Sequence, residues 1–322
     1  MTDADLRAYL LRQTTEADAE RVEVRALDDD DFFATLESVE DDLFDDYVRG
    51  RMADDERPLF LAKYGAERAR LQVARALMES GVDVLIEKPL AASLAEADEL
   101  IALAQRLGRI GQVGHLERFN SAVRATLPLI TQPMFFEVHR LSVFTPRSLD
   151  VDVVVDLMIH DLDIVLSFVN SRVTEIRAVG LPILSAKVDI ANVRLQFASG
   201  CVANFTASRV STERVRKLRF FQPRQYVSLD YGRQDVTVFS VGGDGAGVPS
   251  VNPQIAISKP ATVGAEPLHA ELKAFLAAVR ERSKPLVSLE EGRRALEVAL
   301  DIVAAIAQHG KSVNLAGIGT RS

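Results

Sequence analysis

The chain has 322 residues, of which 48% are apolar and 26% charged, with a net charge of −8 and one cysteine. This length allows two globular domains. The acidic balance excludes a nucleic-acid surface, which needs a basic face, and the lone Cys201 excludes an internal disulfide and fits a reducing, cytoplasmic compartment. Apolar runs fall short of the roughly 18 residues that span a membrane, and the acidic start from Met1 to Leu11 does not read as a secretory signal, so no membrane partner is expected.

Charge is unevenly placed. Residues 1–60 hold 19 acids and 7 bases (net −12), and the rest hold 27 acids and 31 bases (net +4). Such asymmetry marks a tail or a foreign piece. An acidic block at Asp28–Asp31, extended by Asp41, Asp42, Asp45 and Asp46, is interleaved with Phe32, Phe33, Leu36, Leu43 and Phe44. It predicts a solvated, partly helical segment.

From Arg68 the pattern sharpens. Leu71, Ala74, Leu77 and Met78 share one face of a predicted helix ending before Gly81, and Val82–Ile86 reads as a buried strand broken by Pro89. Ser93 and Glu96 form a capping box for a helix carrying Leu94, Ala97, Leu100, Ile101, Ala104 and Leu107, which ends at Gly108. Arg109–Gly114 reads as a second strand. This alternation is that of the second half of a doubly wound α/β sheet.

After Pro128 the texture changes. Phe135–Val143 alternates like a strand, and Val154–Val169 reads as a helix. Strand candidates follow at 173–179, 188–197, 201–209, 216–221, 226–230 and 236–241, predicting a mostly antiparallel sheet of about six strands. Residues 242–265, with the cluster Gly242-Gly243-Asp244-Gly245-Ala246-Gly247, read as a loop, because prolines and no helix follow. Helices are predicted at 267–282 and 289–309. The expected fold class is α/β plus α+β: an incomplete Rossmann-like domain, then a mostly antiparallel sheet domain with helices on one face. The divisions fall at 1–67, 68–125 and 126–322.

Glu87 and Lys88 leave the C-terminal end of an apolar strand, where open α/β sheets bind ligands. A lysine there can lie over a ligand's hydroxyl and exchange a proton with it. Asp156 and His160 are spaced i, i+4, which one helix face presents together, and histidine titrates near neutrality. Plainer readings stand beside these. Glu87–Lys88 could be a solvated turn, Asp156 a capping acid and His160 a packed ring. His115 could satisfy a loop carbonyl, and Arg118 and Asn120 could cap the next helix. His139, His269 and His309 have no carboxylate or cysteine at ligand spacing, so no metal site is expected.

Three segments together resemble the Gfo/Idh/MocA family of oxidoreductases over about residues 68–315: Val84-Leu85-Ile86-Glu87-Lys88-Pro89-Leu90, Gly114-His115-Leu116-Glu117-Arg118-Phe119-Asn120, and Asp156-Leu157-Met158-Ile159-His160-Asp161-Leu162-Asp163. The resemblance implies NAD or NADP as cofactor and a small sugar as substrate. It makes Lys88 and His160 catalytic, with His160 the proton shuttle and Asp156 beside it binding substrate or orienting it. It places Glu87, Lys88, Pro89 and His115 at the cofactor, and Arg118, Asn120, Asp156 and Arg209 at the substrate. Asp189-Ile190-Ala191-Asn192 and the segment Cys201–Arg209 look like members of the UDP-N-acetylglucosamine 3-dehydrogenase subgroup, implying a nucleotide-linked acetamido sugar. Arg209, Arg214, Arg216 and Lys217 would then meet a diphosphate, or else form a basic sheet edge. A free polyol of the inositol type is the alternative substrate.

The family pattern opens with a strand, Gly-x-Gly-x-x-Gly and a helix. Here the glycines before Glu87 are Gly50, Gly65 and Gly81, none of them clustered. Such glycines let the backbone approach a pyrophosphate that the helix N-terminus neutralises. Two expectations follow. Residues 1–67 are a replaced segment before an intact body, or the chain has given up its cofactor and serves as a binding or oligomerisation module. In either case the open sheet face is expected to pack against a second copy.

Overall fold

In the computed structural model the chain is described at residues 2–48, 51–145, 151–242, 254–262, 264 and 266–313. It divides into two compact units, Met1–Ile86 with Leu90–Gly111, and Glu87–Pro89 with Gln112–Ser322.

The first unit begins with four helices: α1 (Asp3–Leu10), α2 (Glu16–Asp28), α3 (Asp30–Val48) and α4 (Glu56–Glu79). Thr2 and Asp5 form a capping box at α1, and the Thr15 hydroxyl accepts from the Asp18 amide at the start of α2. Leu6, Leu10, Leu11, Val22, Phe32, Val39, Leu43, Met52 and Phe60 are buried together. Leu6/Leu10 and Val39/Leu43 show why: i, i+4 apolar pairs put one stripe of each helix inward. Arg7 donates to both carboxylate oxygens of Glu56 at 2.8 Å and to Asp46 at 2.9 Å, tying α1 to α3 and α4. The expected solvated segment is thus corrected. Among the described residues 2–83 there is no strand, and apolar side chains from the helices form a buried core. The helix predicted from Arg68 is the second half of α4.

A strand–helix–strand unit follows: β1 (Val84–Glu87), α5 (Leu94–Leu107) and β2 (Gly111–Gly114), with β1 and β2 forming a two-stranded sheet. Ser93 and Glu96 make the expected capping box, and Gly108 closes α5 in the left-handed region at φ 61°. The Val84 amide donates to the Ile110 carbonyl at 2.9 Å.

The second unit is built on an eight-stranded sheet, ordered β10-β9-β8-β7-β3-β6-β5-β4. Its strands are β3 (Phe135–Val143), β4 (Val173–Leu181), β5 (Ile190–Phe197), β6 (Val202–Ser211), β7 (Val215–Gln222), β8 (Gln225–Asp230), β9 (Asp235–Gly242) and β10 (Gln254–Ser258). The β3–β6 pair is parallel and the others are antiparallel. Strand β10 corrects the reading of 242–265 as loop throughout. It pairs Ile255 and Ile257 with Val241 and Phe239, a five-residue edge too short to stand out between proline-bearing flanks. The glycine cluster beyond Gly242 lies outside the described residues.

One sheet face is apolar. Ala191, Val193, Leu195 and Phe197 of β5 are buried while Asn192, Arg194 and Gln196 are exposed, the alternation that a half-covered strand requires. Helices α7 (Ile159–Phe168) and α9 (Leu289–Ser312) supply Leu162, Val165, Leu166, Ala295, Ala299 and Ile302 to the same core. The two remaining helices are α6 (Ser121–Thr126) and α8 (Pro267–Glu281). The predicted helix over 154–169 is not regular throughout. Val154–Met158 is a π turn, in which the Ile159 amide reaches back to the Val154 carbonyl, and α7 follows it. Such turns recur at functional sites.

Candidate active site

Lys88 follows β1, and its ammonium group donates to the Asp156 carbonyl at 2.5 Å and to the Asp156 carboxylate at 3.3 Å. Two residues 68 positions apart are therefore brought together. Asp156 sits in the π turn and His160 in the first turn of α7. Lys88 thus meets the π turn four residues ahead of His160. Burial lowers the pKa of Lys88, against the pull of Asp156. Burial also lowers that of His160 well below its ordinary value, aided by the nearby charges of Arg140 and Lys88. His160 is therefore a neutral imidazole near pH 7. Among the described residues its buried Nδ1 has no hydrogen-bond partner.

His115, at the end of β2, stands edge-on to His160 with ring centroids 6.3 Å apart. It is 1% exposed, and among the described residues neither ring nitrogen has a partner. Burial lowers its pKa, and Asp163 partly offsets this. Arg118 pairs with Asp163 at 3.2 Å and with Glu291 at 2.5 Å. Asn120 is committed to structure. It caps α6 through the Ala122 amide, and its side-chain amide donates to Glu117 at 3.1 Å and to the Tyr231 carbonyl at 3.0 Å. Arg209 is also held away from solvent. It is 5% exposed, donates to the Val151 carbonyl, and lies 3.7 Å from Asp189. Both side chains therefore have partners inside the protein.

Sequence reasoning missed the ionic group beneath the site. Arg140 is 3% exposed. It forks onto Asp161 at 2.6 and 3.0 Å and reaches Glu117 at 3.2 Å. Burial opposes its charge, but Asp161 and Glu117 more than offset this, so the guanidinium stays charged. The signal was strand parity: Arg140 shares its face of β3 with buried Phe136 and Val138. Glu271 of α8 was also missed. It is 1% exposed, its Oε1 has no partner among the described residues, and burial together with the charge of Glu87 raises its pKa to about 7.

Comparison with known proteins places this arrangement. Residues 66–115 match the family described as the oxidoreductase family with an NAD-binding Rossmann fold, and residues 101–226 match the C-terminal domain of Gfo/Idh/MocA proteins. The UDP-N-acetylglucosamine 3-dehydrogenase of Acidithiobacillus ferrooxidans is 35% identical over 237 residues, which is 73% of this chain and 74% of the relative. The chain belongs to the Gfo/Idh/MocA oxidoreductase family. A crystal structure of that enzyme superposes with a TM-score of 0.69 at 33% identity, covering 75% of this chain and 76% of its own. The NAD-dependent scyllo-inositol 2-dehydrogenase of Bacillus subtilis is 27% identical over 148 residues, 41% of this chain and 43% of that relative.

The residues present fit the family's nicotinamide cofactor at one end and not at the other. Gly114 lies against Glu87, where a Cβ would stand 3.0 Å from its carboxylate and 3.2 Å from its Cα. With the unpartnered His115 nitrogens and Lys88, this gives hydrogen-bonding groups suited to a nicotinamide riboside. For the diphosphate the described residues form no cradle. Among the described residues ahead of β1 no strand turns through glycines into a helix, and Gly81, at φ 87°, instead follows the end of α4.

Proposed function

We propose that the second unit carries the alcohol-handling site of a cytoplasmic sugar oxidoreductase whose substrate is a UDP-N-acetylhexosamine. In this reading a bound nicotinamide would supply the hydride acceptor, and the residues of this chain handle the hydroxyl proton. The carrying observation is the Lys88–Asp156 pair beside a neutral His160. Asp156 fixes the ammonium group, which draws charge onto the hydroxyl oxygen as its proton leaves, an electrostatic role that is strongest in a partly dry site. His160 accepts that proton through a ring nitrogen. Arg118 serves to hold Asp163, whose charge acts on His115.

The helical core of the first unit favours a second reading, a sugar-nucleotide-binding protein without redox turnover. One experiment separates them. NADH fluorescence is titrated against the chain, and UDP-N-acetylglucosamine or myo-inositol is then supplied with NAD or NADP while reduced nicotinamide is followed at 340 nm. Saturable cofactor binding, turnover of the UDP-sugar, and a loss of about 10²–10⁴-fold in kcat for Lys88→Met and His160→Gln support the oxidoreductase. Cofactor binding without oxidation of either alcohol refutes it. UDP-sugar binding with no cofactor binding selects the second reading. The outer sheet face, with Phe135, Phe221, Tyr226 and Phe239 stacked across four strands, is the proposed homo-oligomer surface; light scattering that reports a monomer rejects that assignment.

A further inference from the structure

A buried clamp holds the entry to the π turn from outside the Lys88–His160 group. Asp189, just ahead of β5, is fully buried. One of its carboxylate oxygens accepts from three successive amides, Ile183 at 2.7 Å, Leu184 at 2.6 Å and Ser185 at 2.9 Å, and the other accepts from the Ser185 hydroxyl at 2.7 Å. Burial opposes its charge, but these amides and the hydroxyl outweigh it and hold the pKa at about 2, so Asp189 is a fixed carboxylate. Arg209 of β6 lies 3.7 Å from it through Nε, and its Nη2 donates to the Val151 carbonyl and, at 3.5 Å, to the Val188 carbonyl. Residues 151–153 are stitched to the same place by backbone. The Val153 amide donates to the Val188 carbonyl at 2.9 Å, and the Val188 amide donates to the Asp152 carboxylate at 2.9 Å. This short segment also starts the π turn. The Asp152 carbonyl accepts from the Val155 and Asp156 amides, both at 3.0 Å, and the Asp156 carbonyl and carboxylate in turn hold the Lys88 ammonium group at 2.5 and 3.3 Å. Hydrogen bonds and peptide bonds thus run unbroken from Arg209 to Lys88. A π turn competes with the commoner α turn over the same residues, so anchors at its entry bear on where the Asp156 carbonyl points.

We propose that Arg209, with Asp189 as its fixed counter-charge, is a positioning residue: it pins residues 151–153 so that Asp156 presents its carbonyl and carboxylate to Lys88. Arg209 then serves the site from behind and does not touch the sugar. Its consequence for turnover rests on the oxidoreductase reading above, whereas its hold on Lys88 does not and is measured without cofactor. Besides Asp156, the charged groups that act on Lys88 are Arg140 of β3 and the neighbouring Glu87. Variants of the clamp leave both in place, so a change at Lys88 reports Asp156.

Competitive acetylation of the full chain over a range of pH, read peptide by peptide by mass spectrometry, gives the titration of Lys88. Asp156→Asn sets the reference: losing the carboxylate should lower the Lys88 pKa, because Asp156 supports its charge. Arg209→Gln should shift Lys88 in the same direction, Arg209→Lys should shift it less, and Arg209→Gln added to Asp156→Asn should shift it no further, since both act through one contact. Asp152→Ala removes a second link of the clamp at a half-buried position and should act like Arg209→Gln, which keeps the test open if the arginine variant folds poorly. Leu195→Ala, a cavity in the same sheet core, should leave Lys88 unmoved. In turnover, Arg209→Gln should lower kcat about 10–100-fold and leave KM for the sugar within about twofold, as expected for misplacement rather than lost binding. A Lys88 titration unchanged in both Arg209→Gln and Asp152→Ala overturns the proposal, as does a shift that adds in full to that of Asp156→Asn. A raised KM with kcat intact also overturns it and returns Arg209 to the sugar. Wild-type chain that oxidises no alcohol, while Lys88 responds as expected, leaves the clamp standing and removes the oxidoreductase. Turnover that is insensitive to Arg209→Gln does the reverse.

Discussion

Glu271 makes the second unit less stable as pH rises through neutrality, and the size of the effect can be worked out. Its carboxyl is 1% exposed, with one oxygen lacking a partner and Glu87 nearby, and its pKa rises from 4.5 to about 7. The native state therefore holds a proton that the unfolded chain releases. A raised acid contributes its full stabilisation below pH 4.5 and loses it as pH climbs through about 7. At about 1.36 kcal/mol per pH unit, the gap between the two values caps the total at about 3 kcal/mol. Between pH 6 and 8 the native state should lose about 1.3 kcal/mol from this group. Glu271→Gln keeps the shape and removes the proton. Urea unfolding of both proteins at pH 6, 7 and 8 should give a stability that falls with pH in the wild type and a flatter line in the variant. Parallel lines would show that the carboxyl titrates near its ordinary value in the folded protein, and the burial argument would be wrong.

Other perturbations probe the packing. Arg140→Ala leaves Asp161 and Glu117 buried without their cation and should cost about 3–5 kcal/mol in urea unfolding; a cost below about 1 kcal/mol would mean that water already reaches the group. Gly292 of α9 should resist the stabilisation of about 1 kcal/mol that alanine brings to a helix interior. A Cβ there would stand 2.5 Å from Val113 Cγ2, so Gly292→Ala is expected to destabilise by about 1–3 kcal/mol, and a raised melting temperature would contradict this contact. Leu43, fully buried among the N-terminal helices, should cost about 2–5 kcal/mol as Leu43→Ala. Its readout is faster proteolysis within residues 1–60, and unchanged cleavage would indicate that no core forms there.

The strand–helix–strand of β1, α5 and β2 was legible because each boundary has a local cause: Gly81, Pro89, the Ser93–Glu96 box and Gly108 are all set by neighbours in sequence. Seven of the eight sheet strands showed as alternation for the same reason, while β10 did not, being five residues long. The chemistry of Lys88, Asp156 and His160 was read from short motifs, since residue type and helical spacing are enough to nominate them. The N-terminal segment was misjudged because acidic composition hides a sparse apolar stripe. Leu6, Val22, Phe32, Leu43 and Phe60 are far apart in sequence and form a core only when helices pack.

The local sequence determined which residues could act, and where strands and helices start and stop, because caps, glycines and alternation operate over a few bonds. Tertiary structure decided which polar groups remain available. Packing gave Asn120 and Arg209 partners inside the protein, and Asp161 and Glu117 both went to Arg140. Hydrogen bonds and ion pairs saturate, and which partner wins depends on residues 20 to 100 positions away, brought near by burial of the apolar face rather than by any pattern along the chain.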